Sequence, residues 1–192
     1  GQRALANNSA CYTERPEFDF FMGEMKALYD SKSGERGVFS RVAAQKIAGK
    51  NGRRDANHEF GTNPCSEIIL RPNQFCNLSE VVVRMEDTLE TLKDKVRLAT
   101  ILGTLQATLT DFRYLRSIWK KNTEEECLLG VSLTGIMDRE LTSSSKNLGE
   151  TLKTLQEVAI ETNKEWANKL GINQAASITC VKPSGTVSQL VN

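Results

Sequence analysis

The stretch Leu128-Leu129-Gly130-Val131-Ser132-Leu133-Thr134 is a short, mostly apolar run, and it favours a buried β-strand. Long helical patterns lie on both sides of it, at 91–119 and 148–170, and Gly171 ends the second pattern as a helix C-cap. Another short apolar run, expected to be a second buried strand, follows at 177–181. Strands that alternate with long helices indicate an α/β fold with parallel strand pairing.

The helical patterns also predict which side chains form the core. On 91–119 the apolar residues share one stripe, so we expect them to be buried, with a break in the helix near Gly103: Leu98, Leu102, Leu105, Leu109, Phe112 and Trp119. Another helix is expected over 16–29, because this segment opens with proline and acidic residues and continues with apolar residues at helical spacing. The polar segment 49–61 is expected to be a loop that leaves Arg54 in solvent.

The composition disfavours several classes of function. The chain has 192 residues, enough for one domain with a core, and its net charge of +1 argues against a strongly basic nucleic-acid binder. No apolar run approaches the length of a membrane span, and no signal-peptide pattern opens the sequence. We therefore expect a soluble, cytoplasmic protein without direct contact to membrane or nucleic acid. The missing initiator methionine and the helix-like segment at the end, 187–192, predict a fragment or one part of a split enzyme.

The five cysteines are scattered and odd in number, which does not suit a secreted disulfide framework. Tetrahedral metal sites usually need clustered ligands, but the chain has no Cys-x-x-Cys pair, and His58, expected to be exposed, is its only histidine. The run Glu124-Glu125-Glu126 is expected to be a solvated helix start rather than a metal site. Cys127 and Cys180 are expected to be packing residues, and any special cysteine is expected to be redox-active or catalytic.

The segment 61–79 combines features of a loop and of a protein core. Pro64 and Pro72 prevent a regular helix or a central strand, yet several apolar residues of the segment are expected to be buried: Ile68, Ile69, Leu70, Phe75 and Leu78. A loop that buries itself is unusual, because its backbone polar groups need hydrogen-bond partners. The segment is therefore expected to be functional.

Asn63, Cys65 and Glu67 recur at a spacing of two within this segment. In an extended backbone their side chains would project to one side, so that an amide, a thiol and a carboxylate would lie together. Such a set suits chemistry on a polyhydroxylated substrate, with a sulfur reactant, a base and a hydrogen-bonding group. On the residues alone, a buried structural thiol is the alternative interpretation of Cys65, and the favoured one.

The turn Lys182-Pro183-Ser184-Gly185-Thr186 has two interpretations. It follows a predicted strand and precedes a predicted helix that starts at Val187. Free backbone amides at a helix N-terminus, together with hydroxyl groups, can form an anion site. An ordinary capped turn explains the same residues, and the sequence physics leaves both interpretations open.

Several segments, in the same order, resemble the adenosylcobalamin-dependent class of ribonucleotide reductases. The motif Asn63-Pro64-Cys65-Ser66-Glu67 resembles the active-site loop of that family. The other segments extend the resemblance over nearly the whole chain: 5–10, 33–37, 122–138 and 179–187. The short interval between Cys65 and Cys76 is also typical of this class, because the di-iron class usually has a longer insert there.

The resemblance implies a fold and an activity. The chain, over 1–192, is expected to be part of the ten-stranded α/β barrel of these enzymes, with 61–79 as the central finger loop of the active site and 182–188 as the phosphate-binding loop. The expected reaction reduces a ribonucleoside di- or triphosphate to its 2′-deoxyribonucleotide by thiyl-radical chemistry, with adenosylcobalamin as the cofactor. The expected partners are the remaining segments of the reductase chain and a thioredoxin-like dithiol reductant.

The resemblance also implies roles for single residues. Cys65 corresponds to the thiyl radical residue that removes the 3′ hydrogen of the ribose, Glu67 to the base for the 3′ hydroxyl proton, and Asn63 to a hydrogen-bonding partner of the ribose hydroxyls. Cys76 corresponds to one of the two thiols that reduce the 2′ position. The substrate phosphates are expected at four residues of the later turn: Pro183, Ser184, Gly185 and Thr186.

The sequence departs from the family pattern at two points, which leaves other functions open. Ser66 stands where the family more often has glycine. The family's partner of Cys76 lies on an earlier strand, which the sequence around Cys11 does not match, so that partner is expected outside this chain. The alternatives are a non-catalytic nucleotide-binding fragment, one part of a split reductase that is inactive alone, or a glycyl-type radical enzyme, whose glycyl motif the sequence does not show.

Overall fold

The chain folds into two compact units, Gly1–Pro72 and Asn73–Asn192. The structure, a computed structural model, describes residues 8–33, 37–144 and 146–191, without the side chain of Thr186. Parts of two family-like segments, 5–7 and 34–36, therefore lie outside the described residues, as does the side chain of one predicted phosphate-binding residue.

The first unit opens with a parallel strand pair. β1 (Ser9–Tyr12) pairs in parallel with β2 (Gly37–Ser40), and α1 (Phe18–Ser31) lies between the two strands in the sequence. α2 (Arg41–Gly49) follows β2 directly, because the Ser40 hydroxyl accepts a hydrogen bond of 3.2 Å from the first turn of this helix and so caps it. The helix predicted over 16–29 is confirmed by α1.

A short antiparallel hairpin completes the first unit. Its strands are β3 (Gly61–Thr62) and β4 (Ile69–Leu70), and the loop between them contains the cysteine of the predicted active site. A small core supports the hairpin, made by buried residues and two half-buried neighbours: Ala44, Ala48 and Phe60, with Phe39 and Ile69. The hairpin therefore rests on the side chains of α2 and of the loop that precedes β3.

The second unit is built around parallel strands, as the sequence predicts. β5 (Asn77–Val82) and β6 (Leu129–Thr134) pair in parallel along their whole lengths, and α3 (Leu89–Gln106) and α4 (Ser117–Glu126) connect them. Thr179 adds a single parallel bridge to Val131 of β6, so the strand expected at 177–181 is reduced to one bridge. The α/β class and the parallel pairing are confirmed.

Three further helices follow β6. A short 3-10 turn over Ile136–Asp138 leads into α5 (Glu140–Ser143). α6 (Leu148–Leu170) is the longest helix, and Gly171 ends it in the left-handed conformation with φ of 68°, as expected for a C-cap glycine. α7 (Thr186–Leu190) has only five residues.

The core of the second unit lies between its strands and the helices α3 and α6. The leucine stripe predicted as core is wrong at four positions, because these side chains are 41–73% exposed: Leu98, Leu102, Leu105 and Leu109. α3 instead buries Leu92, Val96, Thr100, Gly103 and Thr104. The threonines can be buried because each hydroxyl donates to a backbone carbonyl one turn earlier, at 2.7 and 2.8 Å.

Gly103 also lies on this buried polar face. A Cβ atom at this position would make ordinary van der Waals contacts with the Leu129 side chain at 3.5 Å and with the Ser79 hydroxyl at 3.6 Å. The buried amide of Asn163 joins α6 to α3, because its Nδ2 donates to the Thr104 hydroxyl at 3.1 Å. Satisfied hydrogen bonds thus allow polar side chains to be buried against the apolar periodicity.

Several predicted boundaries are also wrong. The helix expected over 91–119 with a break near Gly103 is two helices, since the chain leaves α3 after Gln106 and starts α4 only at Ser117. The glutamates 124–126 therefore end a helix instead of starting one, and Glu126 is buried. The segment 61–79, expected to be one loop, contains β3, β4 and the start of β5.

The strands do not form a closed barrel within the part of the chain that the structure describes. There, β1 to β6 form three separate two-stranded sheets. None of the described helices is both long enough and apolar enough to cross a lipid bilayer.

Candidate active site

The loop of the β3–β4 hairpin is closed by the side chain of Asn63. Its backbone N–H donates to the Ile68 carbonyl at 3.2 Å, and its Oδ1 accepts a hydrogen bond from the Ile68 N–H at 3.0 Å. Only an oxygen can accept from an N–H group, so this bond fixes the orientation of the amide. The Nδ2 group of Asn63 has no partner among the described residues and is available to donate to a ligand.

Cys65 lies at the exposed tip of this loop, between two exposed neighbours, Pro64 and Ser66. The extended backbone expected for this segment is wrong, because the chain reverses direction here: the Ser66 N–H donates to the Asn63 carbonyl at 3.0 Å. A reverse turn does not keep the strict alternation of a strand, so the spacing of two does not by itself bring Asn63, Cys65 and Glu67 to one face. Glu67 is half-buried.

Ser66 has a φ of 64°, which lies in the left-handed region of the backbone map. This conformation strains every residue with a Cβ atom, whereas glycine adopts it freely. The geometry gives a physical reason for the glycine that the family more often has at this position. The Ser66 hydroxyl lies 3.4 Å from the Thr62 hydroxyl, a weak contact across the base of the loop.

Arg54 supports the hairpin from the preceding loop, although it was expected to be solvated. Its Nη1 donates to the Ile69 carbonyl of β4 at 3.0 Å, and its guanidinium lies 4.9 Å from the centre of the buried Phe60 ring. Nearby, a backbone hydrogen bond from Asn57 and the charge of His58 hold the pKa of the Asp55 carboxyl below its usual range. His58 is partly shielded, with 34% of its side chain exposed, so its expected exposure is only partial.

A polar cleft of about 310 Å³ adjoins the hairpin loop within the first unit. Arg41 and Cys11 line it together with Asn63, Pro64 and Ser66. The half-buried Arg41 is held by a hydrogen bond of 3.0 Å from its Nε to the Phe60 carbonyl, and it forms no ion pair with any described residue. The sequence offered no signal for Arg41, because its distance from the motif matches no periodicity.

Cys76 lies in the second unit, directly before β5, and α4 fixes the residues on both sides of it. Gln74 donates from Nε2 to the buried Glu126 carboxylate at 2.6 Å and to the Asn122 carbonyl at 3.1 Å. The N–H of Phe75 donates to the Thr123 hydroxyl at 3.2 Å. These contacts hold the half-buried Cys76 thiol in one position relative to α4.

Three further contacts involve the residues on either side of Cys76. The Phe75 ring packs on Trp119 at 4.7 Å and on Phe112 at 5.1 Å between ring centres. Asn77 donates from its backbone N–H to the Leu128 carbonyl at 2.9 Å. We refer to these contacts of residues 73–77 with α4 and the residues around it as the Cys76 bracket.

The side chain of Ser184 contacts the first turn of the short helix α7. Its Oγ accepts a hydrogen bond from the Ser188 N–H at 3.1 Å, although the residue at the N-cap position is Gly185. The N–H of Lys182 donates to the Ser132 hydroxyl at 3.0 Å, which ties the start of the turn to β6. This contact uses the Ser184 oxygen as an acceptor and leaves its hydroxyl proton free to donate.

The predicted site residues are divided between the units. Asn63, Cys65 and Glu67 belong to the first unit, whereas Cys76 and the turn 183–186 belong to the second. Within the second unit, the parallel register places Cys76 at the amino end of β5, and the turn follows Thr179 toward the carboxyl end of β6.

Cys127 and Cys180 were expected to be packing residues. Cys127 agrees with this role, since it is 3% exposed and burial raises the pKa of its thiol above the usual value. Cys180 is only half-buried. Among the residues that the structure describes, no three His, Cys, Asp or Glu side chains converge as a metal site.

Comparison with solved structures first defines the class of fold. The chain aligns with a crystal structure of B12-dependent (class II) ribonucleotide reductase with a TM-score of 0.64 and 19% identity, over 95% of this chain and 33% of that chain. At this identity the likeness shows the fold alone. It is the α/β fold of a class II ribonucleotide reductase, of which this chain has one part.

Comparison with curated sequences is more specific. The adenosylcobalamin-dependent ribonucleoside-triphosphate reductase of Lacticaseibacillus paracasei is 26% identical over 98% of this chain and 28% of the relative. That of Lactobacillus acidophilus is 32% identical over 68% of this chain and 21% of the relative. No family model matches the chain. The expected resemblance to adenosylcobalamin-dependent reductases is confirmed, and the chain spans about a quarter of the length of these relatives.

Proposed function

We propose that this chain supplies part of the catalytic site of an adenosylcobalamin-dependent ribonucleotide reductase, with Cys65 as its radical residue. The observation that carries the proposal is the hairpin loop, which presents the Cys65 thiol at an exposed tip while the Asn63 side chain closes the loop beneath it. The similarity of nearly the whole chain to such reductases supports it.

An exposed thiol suits the cofactor, because hydrogen-atom transfer needs direct access to the sulfur atom. When bound, adenosylcobalamin would supply the radical that removes the hydrogen atom of the Cys65 thiol. The Cys65 sulfur then takes the hydrogen atom from ribose C3′, which forms an S–H bond and leaves an unpaired electron on that carbon. No residue described here is assigned to the corrin ring.

Glu67 accepts the proton of the 3′ hydroxyl, and Asn63 donates from its free Nδ2 to a ribose oxygen. The bond between C2′ and its hydroxyl then breaks, and the hydroxyl leaves as water with a proton from the Cys76 thiol. C2′ takes the hydrogen of a second thiol, outside this chain, and the two sulfur atoms give up one electron each and join in a disulfide. Glu67 returns its proton to the 3′ oxygen. Cys65 finally returns the hydrogen atom to C3′, and a thioredoxin-like dithiol reduces the disulfide.

The turn over residues 183–186 is proposed to hold the substrate phosphates. Because Ser184 Oγ already accepts a hydrogen bond from Ser188, its contribution would be the hydroxyl proton, donated to a phosphate oxygen. The backbone N–H of Gly185 can add a second donor, since it has no partner among the described residues. Pro183 fixes the entry to the turn.

The test is a turnover assay of the full-length protein with adenosylcobalamin, a dithiol and ribonucleoside di- and triphosphates. Cys65→Ser is expected to reduce deoxyribonucleotide formation below detection, because an O–H bond is too strong to yield the radical. The matched control is Cys11→Ser, another exposed free cysteine of the same unit, which is expected to keep at least half of the parent rate.

Two results would contradict the proposal. The first is unchanged product formation by the Cys65→Ser variant. The second is a parent protein that binds ribonucleotides in a titration but forms no deoxyribonucleotide under any of these conditions, which would favour a non-catalytic nucleotide-binding module instead.

A further inference from the structure

The polar cleft beside the hairpin loop contains a positive charge that the mechanism above does not use. Arg41 lines this cleft of about 310 Å³, and its Nε donates to the Phe60 carbonyl at 3.0 Å. No acidic side chain belongs to the described lining of the cleft. A half-buried guanidinium loses part of its hydration, and a group of opposite charge normally compensates that cost. The N–H groups on the Nη atoms of Arg41 are therefore available to an anion.

The hairpin loop contributes hydroxyl groups to the same cleft. Thr62 and Ser66 both line it, and their hydroxyl oxygens lie 3.4 Å apart. Either hydroxyl can be the donor of this weak contact, and with Thr62 as the donor the proton of Ser66 is free for a ligand. The lining thus combines one cation with uncharged donors, which is a composition that suits an oxyanion.

The backbone of Ser66 gives an independent reason to expect a ligand here. Its φ of 64° would be unstrained only for glycine, the residue that the family more often has at this position. Strained backbone is concentrated at functional sites of proteins, where it is part of the function. What this chain gains over glycine is a hydroxyl group, and that group lies in the cleft of Arg41.

We infer that this cleft binds a phosphate-like oxyanion, held by the Nη groups of Arg41 and by the hydroxyl group of Ser66. The planar guanidinium can donate two parallel hydrogen bonds to two oxygen atoms of such a group. A bound oxyanion would link the start of α2 to the loop that carries Cys65. The residues of this site all belong to the first unit, and none belongs to the turn 183–186 that is proposed to hold the substrate phosphates.

Cys11 reports whether the cleft is occupied, because this exposed free cysteine lines it. The test measures alkylation of Cys11 by iodoacetamide, a neutral reagent, in the full-length protein, with peptide mass spectrometry as the readout. Inorganic phosphate at about 10 mM is expected to slow the modification about tenfold, if the dissociation constant is about 1 mM. Potassium chloride of equal ionic strength is the reference, which excludes a general effect of salt.

Variants of Arg41 separate the charge from the fold. Arg41→Gln is expected to lose the effect of phosphate, whereas Arg41→Lys keeps the charge without the paired donors and should need about tenfold more phosphate. Both variants lose the hydrogen bond to Phe60, so a difference between them does not come from that contact, and thermal unfolding compares their stability. Arg53→Gln removes an exposed positive charge of the same unit outside the cleft lining and should respond like the parent.

Variants of Ser66 separate the hydroxyl group from the strain. Ser66→Ala removes the hydroxyl and keeps the strain, whereas Ser66→Gly removes both. Each is expected to need about fivefold more phosphate to protect Cys11, because a donor to a charged group is lost. Only Ser66→Gly is expected to raise the temperature of thermal unfolding.

The inference is overturned if phosphate leaves the Cys11 rate at its value in chloride, if Arg41→Gln is protected like the parent, or if Arg53→Gln loses the effect to the same extent. An unchanged phosphate response of both Ser66 variants would refute the role of that hydroxyl.

Adenosine monophosphate distinguishes two sources of the anion. Protection at the same concentration as phosphate indicates a free oxyanion, and protection at a far lower concentration indicates the phosphate group of a nucleotide; both support the site. The assay needs no turnover, so the anion site can fail while the reductase proposal holds, and the reverse.

Discussion

Asp87 of the second unit is almost fully buried, and its carboxylate accepts several hydrogen bonds. Its carboxylate accepts from Lys95 at 2.6 Å, from the Arg84 N–H at 2.7 Å and from the Thr91 hydroxyl at 2.8 Å. Burial raises the pKa of Asp87, but these hydrogen bonds together outweigh it, so that the pKa lies below its ordinary value. The charged form therefore stabilises the folded state.

We expect Asp87→Asn to lower the free energy of unfolding at neutral pH by about 2 kcal/mol, because the ion pair with Lys95 is lost. A group whose pKa is lowered by folding stabilises above its unfolded-state pKa, about 3.9, and loses this effect as the pH falls toward the folded-state pKa. The difference between parent and variant should thus shrink below about pH 4. Urea unfolding at a series of pH values measures it.

Asp111→Asn is the matched control for this prediction. Its carboxylate also forms an ion pair, with Arg113, but both side chains are exposed, and such pairs contribute little. The free energy of unfolding is expected to stay within about 0.5 kcal/mol of the parent value. If both variants lost the same free energy of unfolding, burial would not explain the stabilising effect of the ion pair between Asp87 and Lys95.

At the scale of residues, the sequence was informative where a motif was present. The motif around Cys65 identified the loop that the structure presents at a hairpin tip. Arg41 and Arg54 carry no such signal, because each becomes significant only through a hydrogen bond to a residue distant in sequence, Phe60 or Ile69. Their contacts arise from tertiary packing, which local spacing does not encode.

At the scale of elements, α4 serves to hold the segment that carries Cys76. The Cys76 bracket depends on the contact between Gln74 and the buried Glu126 carboxylate. We expect Glu126→Ala to lower the free energy of unfolding by about 2 kcal/mol and to accelerate alkylation of Cys76, because residues 73–77 lose an anchor. Urea unfolding and the rate of modification by N-ethylmaleimide measure the two effects.

The adjacent Glu125 provides the control, since it is exposed on the same turn of α4. Glu125→Ala should leave the Cys76 modification rate within a factor of about two and the stability within about 0.5 kcal/mol. A Cys76 rate that is unchanged in Glu126→Ala would mean that the aromatic contacts of Phe75 hold the segment without help from the carboxylate.

The elements themselves were partly predictable. α1, α6 and β6 follow strong periodicity or a clear apolar run, and all three are present. β5 was missed because prolines precede it and its first four residues include three polar ones, Asn77, Ser79 and Glu80. The break expected near Gly103 lies three residues later, after Gln106, and the ten residues between α3 and α4 were not predicted as a connection, because leucines continue through them at helical spacing.

At the scale of the whole molecule, the second unit leaves leucines of α3 in solvent. We expect the double variant Leu98→Gln, Leu102→Gln to unfold with a free energy within about 1 kcal/mol of the parent, because both side chains are more than half exposed. Leu92→Ala, at a fully buried position of the same helix, should lose about 3 kcal/mol. Chemical denaturation of the parent and the two variants measures these losses. It decides whether α3 buries the face of Leu92 or the face of Leu98 and Leu102, which periodicity predicts as core.

The class of fold was predictable at this scale, because alternating short apolar runs and helices indicate α/β architecture whatever the exact pairing of the strands. The identity of the buried face of α3 was not. It depends on the threonines, whose hydroxyl groups donate to carbonyls within the helix. This effect does not appear in a pattern of apolar residues.

The hydrogen bond from the Ile68 N–H to the Asn63 side chain affects how any variant of Asn63 must be interpreted. An alanine at this position would remove the bond that closes the loop and also the free Nδ2 donor, so a loss of activity would have two possible causes. An aspartate keeps an oxygen for Ile68 and gives up the donor, while it adds a negative charge. The comparison of these two replacements, rather than either one, distinguishes a residue that shapes its loop from a residue that touches its substrate.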